Sequence, residues 1–150
     1  GWRLGFLVYP RHLAATIEKL LVNALGSTAT FTQYAGLAAL KEPQDVVREM
    51  RKEFEERRDF LMSMIRSTSR IECVPPQGAF YAFPKIKGLQ NKSVEFADAL
   101  LEKAGVAVVP GAAFGEQGEG HIRIAYTVPK NLIEDGMKKI FSYLESTNVS

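Results

Sequence analysis

Apolar side chains recur every three or four residues in several stretches of the chain, a spacing that places them on one face of an α-helix. The predicted helices cover residues 11–25, 31–40, 44–67 and 93–104, and a last one follows Pro129. The last helix has Ile133, Met137, Ile140 and Leu144 on its inward face. The helix over 44–67 is the longest, about 35 Å, which is enough to connect two domains. Its opposite face carries charges of both signs, as is typical of a solvated surface and not of a nucleic-acid site.

Other stretches have the pattern of β-strands. The apolar run at residues 4–9 predicts a strand covered on both faces of a parallel sheet, which needs neighbouring strands that the chain does not obviously supply. Further strands are predicted at 71–74, 79–83, 106–109 and 121–126. From residue 71 onwards, the order of strands and helices predicts an α+β fold with helices on one face of a small, mostly antiparallel sheet.

A glycine-rich loop leads directly into the strand that contains Arg123. Because side chains alternate along a strand, Arg123 shares one face with His121 and the small Ala125. A guanidinium held on a strand beside a small residue can bind a carboxylate through two parallel hydrogen bonds. The pattern alone leaves a second interpretation open, in which Arg123 pairs with a surface acid.

Composition narrows the possible functions. The chain has 150 residues, of which 46% are hydrophobic, and its net charge of +2 comes from interspersed basic and acidic residues. This argues against a nucleic-acid partner, which requires clustered basic residues. One cysteine, Cys73, and two histidines provide neither an internal disulfide nor a zinc ligand set. Without a secretory signal or a long apolar run, we expect a cytoplasmic protein with no membrane partner.

Three separated segments follow a shared pattern. They are GWRLGF at residues 1–6, PQGAFY at 76–81, and the stretch from Pro110 through the glycine loop to Ala125. In order and spacing they resemble the last third of the fold type I pyridoxal-phosphate-dependent aminotransferases, and most of all the aspartate aminotransferase group. The resemblance covers essentially the whole chain. It implies a homodimeric enzyme that acts on amino acid and 2-oxo acid substrates.

The resemblance also implies roles for individual residues. Arg3 would bind the phosphate of pyridoxal 5'-phosphate, and Arg123 would bind the α-carboxylate of the substrate. Gly78 and Phe80 would lie near the bound substrate. Two alternatives remain open, since Arg3 could reach a surface carboxylate instead and Phe80 could be a buried aromatic of the small domain.

The same resemblance implies that parts of the active site lie outside the chain. The lysine that forms a Schiff base with the cofactor would precede Gly1, so no residue of the chain is expected to be catalytic and the chain alone is expected to be inactive. Residues 1–44 would be the C-terminal remnant of the large cofactor-binding domain. Residues 45–150 would be a long boundary helix followed by the small α+β domain.

Two alternative functions also fit a chain of this kind. Aminotransferase-like domains occur in transcriptional regulators, where they bind ligands without turnover, and a DNA-binding segment upstream would indicate this function. Lyases and synthases of the same fold share the two arginines, and only turnover assays would distinguish them. The identity of the substrate cannot be predicted from the sequence.

Overall fold

The computed structural model describes residues 2–89 and 92–147. Gly1, the first residue of the predicted cofactor-binding segment, lies outside the described residues. The chain divides into two compact units, Gly1–Val46 and Val47–Ser150. No helix in the described part of the chain is both long and apolar enough to cross a membrane.

The first unit contains two helices, α1 (Ala14–Ala24) and α2 (Thr30–Lys41), and a short 3-10 turn precedes α1. The prediction of a strand at residues 4–9 is wrong, because the backbone forms no strand there. A strand is stable only when its backbone groups are paired with a neighbouring strand, and none is adjacent among the described residues. Thr32 is the one described residue of this unit that is buried, so its apolar side chains remain largely exposed.

The second unit begins along a long helix, α3 (Asp45–Arg66), whose first two residues belong to the first unit. Its strands are short. They are β1 (Ile71–Glu72), β2 (Tyr81–Ala82), β3 (Lys85–Ile86), β4 (Val109–Pro110) and β5 (Ile122–Ala125). The first and third pair with each other, and the other three form a sheet in the order β2-β5-β4 with antiparallel pairing throughout. The predicted α+β architecture is confirmed.

Two further helices complete the second unit, α4 (Ser93–Ala99) and α5 (Lys130–Ser146). A π-helical turn, Leu100–Ala104, extends α4 and ends at Gly105, whose φ of 65° is in the left-handed region. The inward face predicted for α5 is confirmed, since its four apolar residues at helical spacing are all buried. They pack into one core with apolar side chains from α3, α4 and the strands.

The structure also corrects details of the predicted elements. The strand predicted at 106–109 is limited to β4, which starts only at Val109, and the strand predicted at 79–83 is limited to β2. The helical spacing of apolar residues in α3 also includes Val47 and Met50, but both side chains are more than half exposed. Serine is a common N-cap residue, but at the start of α4 the cap position is occupied by Lys92 and not by Ser93. The Ser93 hydroxyl accepts a hydrogen bond from the Ala112 N–H at 3.1 Å instead.

Candidate active site

Arg123 lies in the middle of β5, the central strand of the three-stranded sheet. Val109 of β4 is directly opposite it, while Tyr81 of β2 is opposite Ala125. Ile122 on the other face is fully buried. The predicted separation of the two faces is therefore confirmed. Because the strand is fixed by pairing on both sides, the position of the Arg123 backbone is well defined.

Two aromatic rings hold the guanidinium of Arg123. Its central carbon lies 4.4 Å from the centroid of the Tyr81 ring and 5.1 Å from that of Phe114. A cation over the negative face of an aromatic ring gains about 0.5–1 kcal/mol where the site is exposed. The two contacts fix the guanidinium without using its N–H groups for hydrogen bonds.

No carboxylate of residues 2–89 or 92–147 forms an ion pair with Arg123. By contrast, Arg57 and Arg58 on α3 each pair with an acid of the same helix. The alternative of a structural pair between Arg123 and a surface acid therefore finds no partner in the described residues. The five N–H donors of Arg123 are available to an external anion.

Further rings support Phe114. Its ring meets that of Phe83 edge to face, at 5.5 Å and 88°. On the other side, the Phe83 ring stacks on the imidazole of His121, at 5.0 Å with an angle of only 5° between the planes. The His121 Nδ1 lies 3.0 Å from the carbonyl oxygen of Glu119. A continuous series of ring contacts therefore runs from Arg123 through Phe114 and Phe83 to His121, the residue directly before β5.

The glycine loop, residues 111–120, is tightly built. A Cβ added at Gly111 would lie 1.8 Å from the carbonyl oxygen of Gly118, and one added at Gly118 would lie 2.0 Å from that of Gly111. Gly115, directly after Phe114, has a φ of 100° and a ψ of 174°, which only glycine adopts without strain. Glycine is therefore required at these three positions for the loop to bring Phe114 over Arg123.

The Gly78–Phe80 turn lies beside the same sheet. Ala79 has a left-handed backbone, with φ of 59°. The Tyr126 hydroxyl donates a hydrogen bond to the Ala79 carbonyl at 3.1 Å, and the Tyr126 N–H donates one to the Phe80 carbonyl at 3.0 Å. Burial raises the pKa of the Tyr126 phenol, although the charge of nearby Arg58 opposes this. Tyr126 therefore holds the turn in a conformation that a non-glycine residue rarely adopts.

The two residues predicted from this turn have different surroundings. Gly78 lines an open cleft of about 350 Å³ between the turn and α3, which also contains Arg51 and Arg58. Phe80 is 39% exposed and its ring lies between those of Phe54 and Tyr81, with centroids 6.0 Å and 4.5 Å away. Phe80 is thus not a fully buried core residue. It supports the ring that carries Arg123.

Arg3 belongs to the first unit. Its φ of 58° is in the left-handed region, which costs a non-glycine residue free energy and which occurs more often at ligand-binding sites. With Trp2 and Leu4 it lines a groove of about 380 Å³ against small residues of α2. No carboxylate of the described residues forms an ion pair with Arg3. The N–H donors of its guanidinium are therefore not used in an ion pair with a described residue.

Sequence analysis did not identify Tyr81 and Phe114 as site residues. Tyr81 pairs with Ala125, which puts the Tyr81 side chain on the same face of the sheet as Arg123. The register between two strands that are distant in sequence cannot be read from the sequence of either strand alone. The position of Phe114 follows from the loop conformation, which depends on close backbone contacts between Gly111 and Gly118. No cluster of three or more possible metal ligands occurs in the described part of the chain.

The chain matches the family model "Aminotransferase class I and II" over residues 1–140. It is 42% identical over 147 residues to an aspartate aminotransferase of Pyrococcus horikoshii, and 39% identical over 150 residues to a probable aspartate/prephenate aminotransferase of Aquifex aeolicus. Each alignment covers 97% of this chain but only 38% of the relative. The chain therefore spans well under half the length of these relatives.

Solved structures give the same result. An aromatic aminotransferase from Pyrococcus horikoshii superimposes with a TM-score of 0.87 at 36% identity, over 99% of this chain and 40% of that one. An aspartate aminotransferase from Thermotoga maritima gives a TM-score of 0.83 at 30% identity, over 96% and 36%. The chain belongs to the class I and II aminotransferase family, and it corresponds to a C-terminal part of the fold type I architecture.

Proposed function

We propose that this chain is part of a pyridoxal-phosphate-dependent aminotransferase that transfers an amino group from an amino acid to a 2-oxo acid. One observation carries the proposal, namely that Arg123 has a fixed backbone and a guanidinium without a carboxylate partner among the described residues. An arginine in this state is suited to bind the α-carboxylate, a group common to amino acids and 2-oxo acids. Transamination requires one site to bind both.

Arg123 binds and orients the substrate in this proposal. Its planar fork donates two parallel hydrogen bonds to the carboxylate, which fixes the direction of the bonds at the substrate Cα. The exposed Ala125 on the same face leaves space for the substrate beside the guanidinium. Phe80 belongs to the wall of the site through its contact with Tyr81. Gly78 belongs to it as part of the same turn, although the cleft that Gly78 lines contains neither Arg123 nor Tyr81.

Arg3 binds the cofactor phosphate. Its unpaired guanidinium, its groove of small residues and its left-handed backbone fit a residue that grips a dianion. Pyridoxal phosphate, when bound, supplies an electron sink that stabilises negative charge at the substrate Cα. The proton that leaves Cα requires a base, which in the proposal is a lysine preceding Gly1.

The proposal extends to the organisation of the intact protein. Residues 1–44 form the end of a large cofactor-binding domain, and residues 45–150 form the boundary helix and the small domain. The intact protein is a cytoplasmic homodimer, and the chain alone is inactive because it lacks the lysine. The relatives are aminotransferases, which favours this function over a ligand-sensing regulator or a lyase or synthase of the same fold.

The test is to replace Arg123 in the intact protein with Met or Lys. Arg123→Met is expected to raise the KM for the amino acid substrate roughly 30-fold or more, because a charge-assisted hydrogen bond pair to the carboxylate is lost. Arg123→Lys is expected to have a KM between those of the unmodified protein and Arg123→Met, since lysine keeps the charge but not the planar fork of donors. Steady-state kinetics with the amino acid and with its 2-oxo acid measures both.

A matched control is Arg66→Met, at the exposed end of α3. It removes the same charge from the second unit and is expected to leave KM unchanged. If Arg123→Met has the KM of the unmodified protein for both substrates, Arg123 does not bind the carboxylate and the proposal is wrong.

A further inference from the structure

The guanidinium of Arg123 lies against two aromatic faces, and no carboxylate of the described residues pairs with it. A neighbouring Asp or Glu would hold an arginine more strongly, but it would also occupy the N–H donors that an incoming carboxylate needs. Ring faces attract the cation and leave those donors free. The surroundings of Arg123 therefore fix the cation without competing with the ligand.

We propose that Phe114 and Tyr81 are positioning residues that hold the Arg123 guanidinium ready for the substrate carboxylate, an inference that rests on the proposed function. Neither ring needs to touch the substrate for this role. Each acts through Arg123, by reducing the number of side-chain conformations that the arginine samples before the carboxylate arrives. Binding then costs less conformational entropy.

Phe114 gives this role a structural basis in the loop. The ring sits at the end of a 3-10 turn, Gly111–Phe114, and directly before the left-handed Gly115. Phe83 meets it edge to face and is itself stacked on His121. The ring is half exposed, yet it is held from two sides by the loop and by Phe83. The conformation of the glycine loop thus sets the position of the carboxylate-binding group.

The two rings differ in how they are fixed. Tyr81 is part of β2 and pairs with β5 through backbone hydrogen bonds, so its position is as rigid as the sheet. Phe114 depends on the loop. Removal of the Phe114 ring is therefore expected to loosen the Arg123 side chain without changing the sheet. Replacement of Tyr81 removes the other ring that lies against the guanidinium.

The experiment compares Phe114→Leu and Phe114→Tyr in the intact protein. Phe114→Leu is expected to raise KM for the amino acid about two- to fivefold, which corresponds to the loss of one exposed cation–π contact, while kcat stays the same. The inhibition constant of propionate, an unreactive carboxylate, is expected to rise by the same factor. Phe114→Tyr keeps the ring and is expected to restore both values.

A second pair of variants protects the test from a folding defect. Tyr81→Leu is expected to raise KM and the propionate inhibition constant as Phe114→Leu does. Tyr81→Phe keeps the ring face and is expected to have the values of the unmodified protein. Phe141→Leu on α5 is the matched control, because it removes a partly buried ring that packs on the core. It is expected to lower stability without changing KM or propionate inhibition.

The outcomes separate the two proposals. If the leucine variants match Phe141→Leu in KM and propionate inhibition while Arg123→Met is impaired, the rings do not position Arg123 and this inference is overturned. The same holds if the ring-keeping variants lose as much affinity as the leucine variants. If Arg123→Met itself binds both substrate and propionate normally, the proposed function has failed.

Discussion

At the scale of single residues, the two arginines that we propose as ligand-binding groups differ from Arg57 in what surrounds them. Arg57 donates to the Thr127 carbonyl at 2.7 Å and pairs with Glu53, so its donors are used within the fold. Arg123 and Arg3 have no such ion pair with a described residue. An arginine fixed in place but left without an acid has retained a binding capacity that the fold itself does not use.

The single cysteine gives a prediction at the same scale. Burial raises the pKa of the Cys73 thiol, and a hydrogen bond from the Phe83 backbone only partly opposes it. Since the thiolate is the reactive form, native Cys73 is expected to react with iodoacetamide more slowly than an unperturbed cysteine at pH 8. Its rate should reach half of the maximum at a higher pH.

The measurement is the alkylation rate between about pH 7 and pH 10, in native protein and in protein unfolded in urea. The unfolded protein is the control, because the same cysteine is then hydrated. A native midpoint at or below that of the unfolded protein would show that burial does not govern this thiol.

At the scale of elements, the glycine loop is held together by close approach of its backbone. The Gly111 N–H donates to the His121 carbonyl at 2.8 Å, and the Ser93 hydroxyl, which is fully buried, accepts from the next N–H along the chain. A methyl group at Gly111 or Gly118 would collide with the opposite backbone. Gly111→Ala and Gly118→Ala are therefore each expected to lower the free energy of unfolding by about 2 kcal/mol or more.

Gly136 on α5 provides the matched control, since a Cβ there would meet no atom within 4 Å. In a helix interior, Gly136→Ala is expected to raise the free energy of unfolding by about 0.5–1 kcal/mol. Urea unfolding of the three variants measures the difference. Equal stability of Gly111→Ala and Gly136→Ala would mean that the loop is not packed as described.

Elements also show which parts of the structure the sequence can predict. The inward face of α5 and the two faces of β5 follow from spacing alone, and both are confirmed. The run at residues 4–9 has the composition of a strand, but a strand also needs a partner, and composition does not provide one. Likewise, Arg123 was found from its strand, whereas Phe114 and Tyr81 depend on loop geometry and on register between distant segments.

At the scale of the whole molecule, the two units differ in how much they bury. Among the described residues, the buried apolar ones all lie in the second unit, between Leu61 and Leu144, whereas Trp2, Phe6 and Phe31 of the first unit are largely exposed. The chain covers 38% of the length of its relatives. The assignment of residues 1–44 to a large domain remains a prediction. A segment that belongs to a larger domain is expected to bury little apolar surface by itself, as this one does.

The central claim is that the chain contains residues that anchor substrate and cofactor but not the catalytic lysine. Borohydride reduction in the presence of pyridoxal phosphate, followed by peptide mapping, tests it on this chain and on a longer protein that includes the preceding residues. We expect stoichiometric labelling of one lysine in the longer protein only, at a position before Gly1, together with amino-group transfer. Stoichiometric labelling of a lysine within residues 1–150, with transfer by the chain alone, would contradict the claim.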